Sequence, residues 1–203
     1  LAGPVVVAAV CFPVGLRISN RKLGALKDSK KLSPRLRKLW VEHFKSIPEI
    51  LYKTARVYPR AIEKINISQA ANRAASVACD GVIKSLQHSH ILKNVRMFKI
   101  FLDGGLYLGN KRGLTRKFQR LPVLFENTQS SVIASSSRSA AISKKYRDCF
   151  ALLAKTKPFQ IMPHLYIKTI IRGDEKITAV KIASIIAKVQ RDRYMKKLSK
   201  KYP

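Results

Sequence analysis

Two aspartates, 71 positions apart, offer the most chemically suggestive setting in this chain. Asp103 follows the apolar run Phe98 to Leu102 and precedes Gly104 and Gly105. In an open α/β sheet such a strand end borders the ligand crevice, and paired glycines let a backbone or ligand come close. Asp174 follows Gly173 just beyond Leu165 to Ile171, a β-branched run whose alternation fits a buried strand. From Lys176 to Leu198 the period turns helical, with Ala179, Ile182, Ile186 and Val189 on one face and Lys181, Ser184, Lys188 and Arg191 on another. A carboxylate at the mouth of a sheet, beside a helix bearing Lys, Ser, Lys and Arg, could hold a cation and a phosphodiester side by side. Each aspartate also has a plainer reading. Asp174 would serve as a helix N-cap, and Asp103 as an ordinary turn residue.

Charge narrows the partners. The 203 residues carry 41 Lys plus Arg against 11 Asp plus Glu, a formal charge of +30. Closely spaced phosphates reward such an excess through counterion release, so nucleic acid is the first candidate and anionic membrane fits less well. No apolar run approaches the roughly 20 residues that span a bilayer, and the start at Leu1 lacks the basic flank and cleavage site of a signal peptide. The chain reads as soluble, cytoplasmic and monomeric. Cys11, Cys79 and Cys149 are odd in number and far apart, which suits buried reduced thiols rather than a metal set. The four histidines form no zinc pattern.

The elements that must position the aspartates follow in order. Val5 to Val10 has the continuous apolarity of a central strand. Ser33 as N-cap and Pro34 at the first helical position start a helix with Leu36, Leu39, Trp40 and Phe44 on its buried face. Leu51 to Tyr58 reads as a second strand, ended by Pro59, with a short helical turn through Ile62 and Ile65 after it. Asn66 and Gln69 have capping-box spacing ahead of a helix lined by Ala70, Ala74, Ala78, Val82 and Leu86. The same two side chains could instead reach a phosphate, though the cap is the safer reading. Length suggests one α/β domain over residues 1–203.

Between the aspartates the sequence changes character. Residues 104–168 hold 12 Lys plus Arg against only Glu126 and Asp148. A serine-rich stretch from Ser130 to Ser139 precedes Ile142, Tyr146, Phe150 and Leu153, which have helical spacing. Residues 106–160 are therefore expected to form a basic, partly flexible insertion. No nucleotide-binding glycine fingerprint and no defensible serine–histidine arrangement occur anywhere.

Six blocks occur in the order seen in bacterial ribonuclease HII, which the chain resembles: Leu1-Ala2-Gly3-Pro4-Val5-Val6, Asp28-Ser29-Lys30-Lys31-Leu32-Ser33, Asn66-Ile67-Ser68-Gln69-Ala70, Leu102-Asp103-Gly104, Gly173-Asp174 and Ala183 through Arg193. The resemblance covers residues 1–103 and 165–203. It implies the ribonuclease H fold, a mixed sheet flanked by helices, and endonucleolytic cleavage of RNA in RNA/DNA hybrids or at ribonucleotides embedded in duplex DNA. It further implies two-metal hydrolysis with Mg²⁺ or Mn²⁺, ions that take oxygen ligands. By position, Asp103 and Asp174 match metal-binding, catalytic aspartates. Lys30, Ser184 and Lys188 match phosphate-contacting positions, with Asn66 and Gln69 weaker substrate-binding candidates. Asp192 matches no metal position, and Lys188 and Lys196, four residues to either side, offer it an ion pair on its own helix.

The family's first strand carries an adjacent Asp-Glu pair followed by Gly-Arg-Gly, and this chain begins just after their place. It also stops at Tyr202-Pro203, before the segment bearing a ribose-packing tyrosine. The resemblance thus implies a ribonuclease HII lacking its first catalytic strand, truncated at both ends and inactive as it stands. The alternative is a catalytically silent basic protein that binds nucleic acid through Lys and Arg alone.

Overall fold

The computed structural model describes residues 3–88, 97–108, 123–125 and 164–202. Strand β1 (Val5–Cys11) is followed by helix α1 (Pro34–Lys45), strand β2 (Leu51–Val57) and helices α2 (Pro59–Ile65) and α3 (Ile67–His88). Then come strands β3 (Met97–Asp103), β4 (Val123–Phe125) and β5 (His164–Ile170), a single helical turn α4 (Gly173–Lys176) and the long helix α5 (Thr178–Lys201). β1 and β2 pair antiparallel, from Val5 opposite Val57 to Cys11 opposite Leu51. β5 lies between β3 and β4, parallel to both. The result is a mixed α/β architecture with two small sheets among the described residues, compatible with a ribonuclease H-like fold.

Side-chain alternation along β1 explains how the layers form. Val5, Val7 and Ala9 pack with Ala70, Ala74 and Ala78 of α3, while Ala8 and Val10 pack on the opposite side with Trp40 and Phe44 of α1 and Ile182, Ile185 and Ile186 of α5. The apolar run Val5 to Val10 therefore reflects helices on both faces. Among the described residues β1 is paired with β2 along one edge. The alanine stripe of α3 lets that helix lie close. At Gly81 an added Cβ would stand 3.1 Å from Cγ of Lys53 on β2. A third cluster joins Ala75 of α3 to Leu102 of β3, Ile167 of β5 and Leu108, with Val7 of β1 against it, so α3 spans both sheets.

Helix α1 starts as its sequence directs, with Ser33 Oγ accepting the Leu36 N–H at 3.2 Å and Pro34 at N1. Its buried face is Arg37, Trp40, Val41 and Phe44, a spacing of three, one and three residues. Leu39, expected inside, lies one position off that stripe and is exposed. Trp40 and Phe44 are fully buried and stacked at 5.6 Å. Each fully buried isoleucine of α5 adds about 1.5–3 kcal/mol of burial to the same cluster. Cys11 and Cys79 are free. Burial pushes both thiols up, Cys79 to about 12 with Asp80 adding to the effect, so both are protonated packing groups at neutral pH. Cys149 lies outside the described residues.

Most of the expected insertion at 106–160 also lies outside the described residues. Of its described residues, Tyr107 is exposed and the others pack inward or join a sheet. Leu106 and Leu108 pack on the third cluster, and Val123–Phe125 forms β4 along β5. No helix among the described residues is long and apolar enough to cross a membrane.

Candidate active site

Asp103 is the last residue of β3, and the chain turns directly behind it, with the Leu106 N–H donating to the Asp103 carbonyl at 3.0 Å. Its carboxylate does more than close that turn. Oδ1 accepts the N–H of Gly104 and the N–H of Gly173, each at 2.9 Å. The second bond crosses from one strand end to the other and fixes Asp103 against the residue that precedes Asp174. Space is tight there: a Cβ on Gly173 would stand 3.3 Å from Val180 Cγ1 and 3.4 Å from Asp103 Oδ1. Arg172, just before it, holds a left-handed conformation (φ 56°, ψ 46°), which redirects the chain out of β5.

Asp174 is buried within the single turn α4. It does not cap the long helix, which overturns the capping reading. The N-cap position of α5 is Ile177, with no side-chain capping bond. The carboxylate of Asp174 instead meets an ammonium group, with Oδ2 lying 3.2 Å from Lys30 Nζ. That pair is asymmetric: the Lys30 side chain is 70% exposed and the Asp174 side chain 8%. The hydrogen bond to Asp174 holds the Lys30 ammonium above the usual lysine range. The charges of Asp174, Asp28 and Asp103 act in the same direction, against a smaller opposing effect of burial.

Lys30 is aimed by a local device in the Asp28-Ser29-Lys30 block. Asp28 is buried and caps a 3-10 turn over Ser29–Lys31, its Oδ1 accepting the Lys30 N–H at 3.1 Å and the Ser29 hydroxyl at 3.4 Å. Ser29 then reaches across the fold, its Oγ 2.8 Å from Ser184 Oγ on α5. Asp28 and Ser29 carry no assigned role in the sequence reading. The signal was present, because an aspartate accepting the backbone N–H two residues ahead is the Asx-turn pattern.

Asp103, Asp174, Lys30 and Ser184 are thus brought together from β3, α4, the 3-10 turn and α5. Lys188 lies one helical turn beyond Ser184 and is exposed. Asn66 and Gln69 stand apart, sharing no hydrogen bond or ion pair with the other four among the described residues. Asn66 caps α3, its Oδ1 accepting the Gln69 N–H at 3.0 Å, and its backbone is held at φ 65°, ψ 167°. Asp192 is tied to another helix, with Oδ2 3.6 Å from Nη2 of Arg37 on α1. This is the pairing in place of Lys188 or Lys196, and it follows from packing, since α1 and α5 share the core and Arg37 lies on the buried face of α1.

Two carboxylates and one largely exposed ammonium form an electrostatically paired cluster suited to oxygen-rich ligands. In kind the carboxylates fit a hard cation, and the Lys30 ammonium already stands against one of them. In number they are few: among the described residues no group of three or more His, Cys, Asp or Glu side chains could hold a metal ion.

No family model matches the chain. It is 29% identical over 203 residues to the ribonuclease HII of Chlorobium phaeobacteroides, an alignment covering 100% of this chain and 68% of that protein. The ribonuclease HII of Flavobacterium psychrophilum is 26% identical over 206 residues, covering 100% of this chain and 70% of the relative. That of a Bacillus cereus strain is 29% identical over 203 residues, covering 100% of this chain and 51% of the relative. With this agreement over its full length, the chain is a distant relative of ribonuclease HII.

Proposed function

We propose that this chain carries active-site residues of an endonuclease that hydrolyses RNA in RNA/DNA hybrids, or at single ribonucleotides embedded in duplex DNA. The observation that carries the reading is the convergence of Asp103, Asp174 and Lys30, from segments as much as 144 positions apart, on one cluster at the carboxyl ends of β3 and β5. Relatives that are ribonucleases by name support it. Asp103 and Asp174 would hold Mg²⁺ or Mn²⁺. Such ions, when bound, stabilise charge on the attacking and leaving oxygens. Lys30, Ser184 and Lys188 would hold the backbone phosphates of the substrate, Lys30 by an ammonium kept charged well beyond neutral pH. Asn66 and Gln69 would have a lesser part, at the rim of the bound duplex. The net charge of +30 supports a polyanionic partner.

The two sheets bear on the remaining ligands. β1 and β3 each have an edge unpaired among the described residues, and α3 packs across both sheets through Val7, Ala75 and Leu102. We infer that a further strand bearing an Asp-Glu pair belongs between them. It would supply the other two carboxylates and unite the sheets, and without it cleavage would be weak. The second reading, a silent nucleic-acid-binding protein, is favoured by the small number of carboxylates at the site among the described residues. The test is cleavage of a duplex carrying one ribonucleotide, with Mg²⁺ and with Mn²⁺, by the 203-residue chain and by the chain extended with an Asp-Glu strand. Cleavage should appear on extension and collapse in the extended Asp103→Asn variant while hybrid affinity survives. An extended protein that binds hybrid but never cuts would favour the second reading.

A further inference from the structure

Beyond the aspartate cluster, α5 carries a second feature that the cleavage chemistry does not use. Tyr194 lies ten residues after Ser184, about 15 Å farther along the helix axis. Its ring stands 5.9 Å from that of Tyr58, the residue joining β2 to α2, with the planes at 55°. The Arg56 guanidinium lies 5.9 Å from the centroid of the Tyr194 ring, and its Nη2 donates to Oε1 of Gln190, one turn earlier on α5, at 3.4 Å. Arg56 is thereby held on both sides. Tyr58 is 49% exposed, although a tyrosine between a strand and a helix could bury its ring. Exposed Arg60 on α2 and exposed Arg193 and Lys197 on α5 belong to the same segments. The carboxylates of these segments are Glu63, exposed on α2, and Asp192, which is turned to Arg37. Arg56 thus stands at a pair of aromatic rings, one of them on a half-exposed residue, in segments whose exposed side chains are mostly basic.

We propose that Arg56, Tyr58 and Tyr194 form a stacking platform for unpaired nucleotides, binding single-stranded nucleic acid that leads away from the duplex at the aspartate cluster. A ring stacks on the face of a base, and only an unpaired base offers that face freely. Flanking Arg and Lys neutralise the backbone without reading sequence. A duplex would meet this surface through its phosphates alone and would leave Tyr58 without a task. The proposal rests on the nucleic-acid reading above and extends it to a second form of nucleic acid.

The experiment uses the full chain and fluorescence anisotropy with two labelled probes at fixed salt, a 12-nucleotide oligothymidylate and a blunt RNA/DNA hybrid. Tyr58→Leu should weaken oligothymidylate binding about tenfold, as expected for loss of one stacked base. Tyr58→Phe should keep the parent affinity, because the ring face and not the hydroxyl is what binds. Thermal unfolding of both variants should match the parent, and so should affinity for the blunt hybrid. The platform is refuted if Tyr58→Leu binds oligothymidylate as tightly as the parent, or if it loses both probes equally. Should the hybrid bind and the oligothymidylate fail to, the platform falls and the hybrid reading stands. Should neither bind, both fall together.

Discussion

Replacing Asp192 tests whether α5 is tied to α1 or stabilised within itself. In the structure Asp192 faces Arg37, whose side chain is 8% exposed, while Asp192 is 43% exposed. At 3.6 Å the contact is ionic, longer than a well-formed N–H···O hydrogen bond. The Coulomb energy at that distance runs from about 1 kcal/mol in a water-like dielectric to about 5 kcal/mol at an effective dielectric of 20. The exposure of Asp192 places the real value toward the lower end. What raises it again is the partner left behind, since Arg37 remains buried and its Nε already lacks a hydrogen-bond partner. Asp192→Ala should therefore cost about 1–2 kcal/mol, a fall in Tm of about 2–8 °C for a chain of this size. Arg37→Met keeps the apolar stem and removes the charge, so it should be neutral or stabilising. In that background Asp192→Ala should cost almost nothing. Urea unfolding of the parent, both single variants and the double variant supplies the cycle. An equal cost for Asp192→Ala in both backgrounds would refute the cross-helix tie and return Asp192 to Lys188 and Lys196, where a few tenths of a kcal/mol is expected.

Two further outcomes are expected at the edges of the site. The Lys30 ammonium is held above its ordinary range chiefly by its hydrogen bond to Asp174, so its stabilising contribution is complete below about pH 10.4 and is lost as pH rises through the higher folded value. The difference in Tm between parent and Lys30→Met should hold steady from pH 8 to 10 and shrink above that; a difference that grows with alkalinity would show that the ammonium is not what Asp174 senses. Asn66 combines a cap with a backbone conformation that glycine alone adopts freely. Asn66→Ala should cost about 1 kcal/mol, whereas Asn66→Gly should be neutral or stabilising, and equal losses in urea unfolding would mean that the side chain holds more than its own helix.

Local features of the sequence were legible because they repeat every 2 or 3.6 residues. Ser33 with Pro34, the alanine stripe of α3, the Asn66 cap and the two aspartates near strand ends all follow from patterns within a few neighbours. What escaped depends on packing between distant segments. Continuous apolarity from Val5 to Val10 signals two covered faces but not what covers them, and only the split of its side chains between α3 and the α1–α5 pair shows that. Leu39 is exposed while Arg37 faces inward and meets Asp192 of α5, a contact between helices that hydrophobicity does not reveal.

The aspartates show why the site was half visible. Seen locally, Asp103 and Asp174 each look like a group that satisfies its own chain, one a turn and the other a helix end. In the fold Asp103 does serve its turn through Gly104, but with the same Oδ1 it also accepts the Gly173 amide, 70 positions away. That bond holds the residue just before Asp174, whose own carboxylate meets Lys30. One aspartate is thus spent on positioning the other. Gly173 lets the two approach closely, since a Cβ there would stand 3.3 Å from Val180 and 3.4 Å from Asp103. The glycine is therefore as much a part of the site as the two carboxylates it brings side by side.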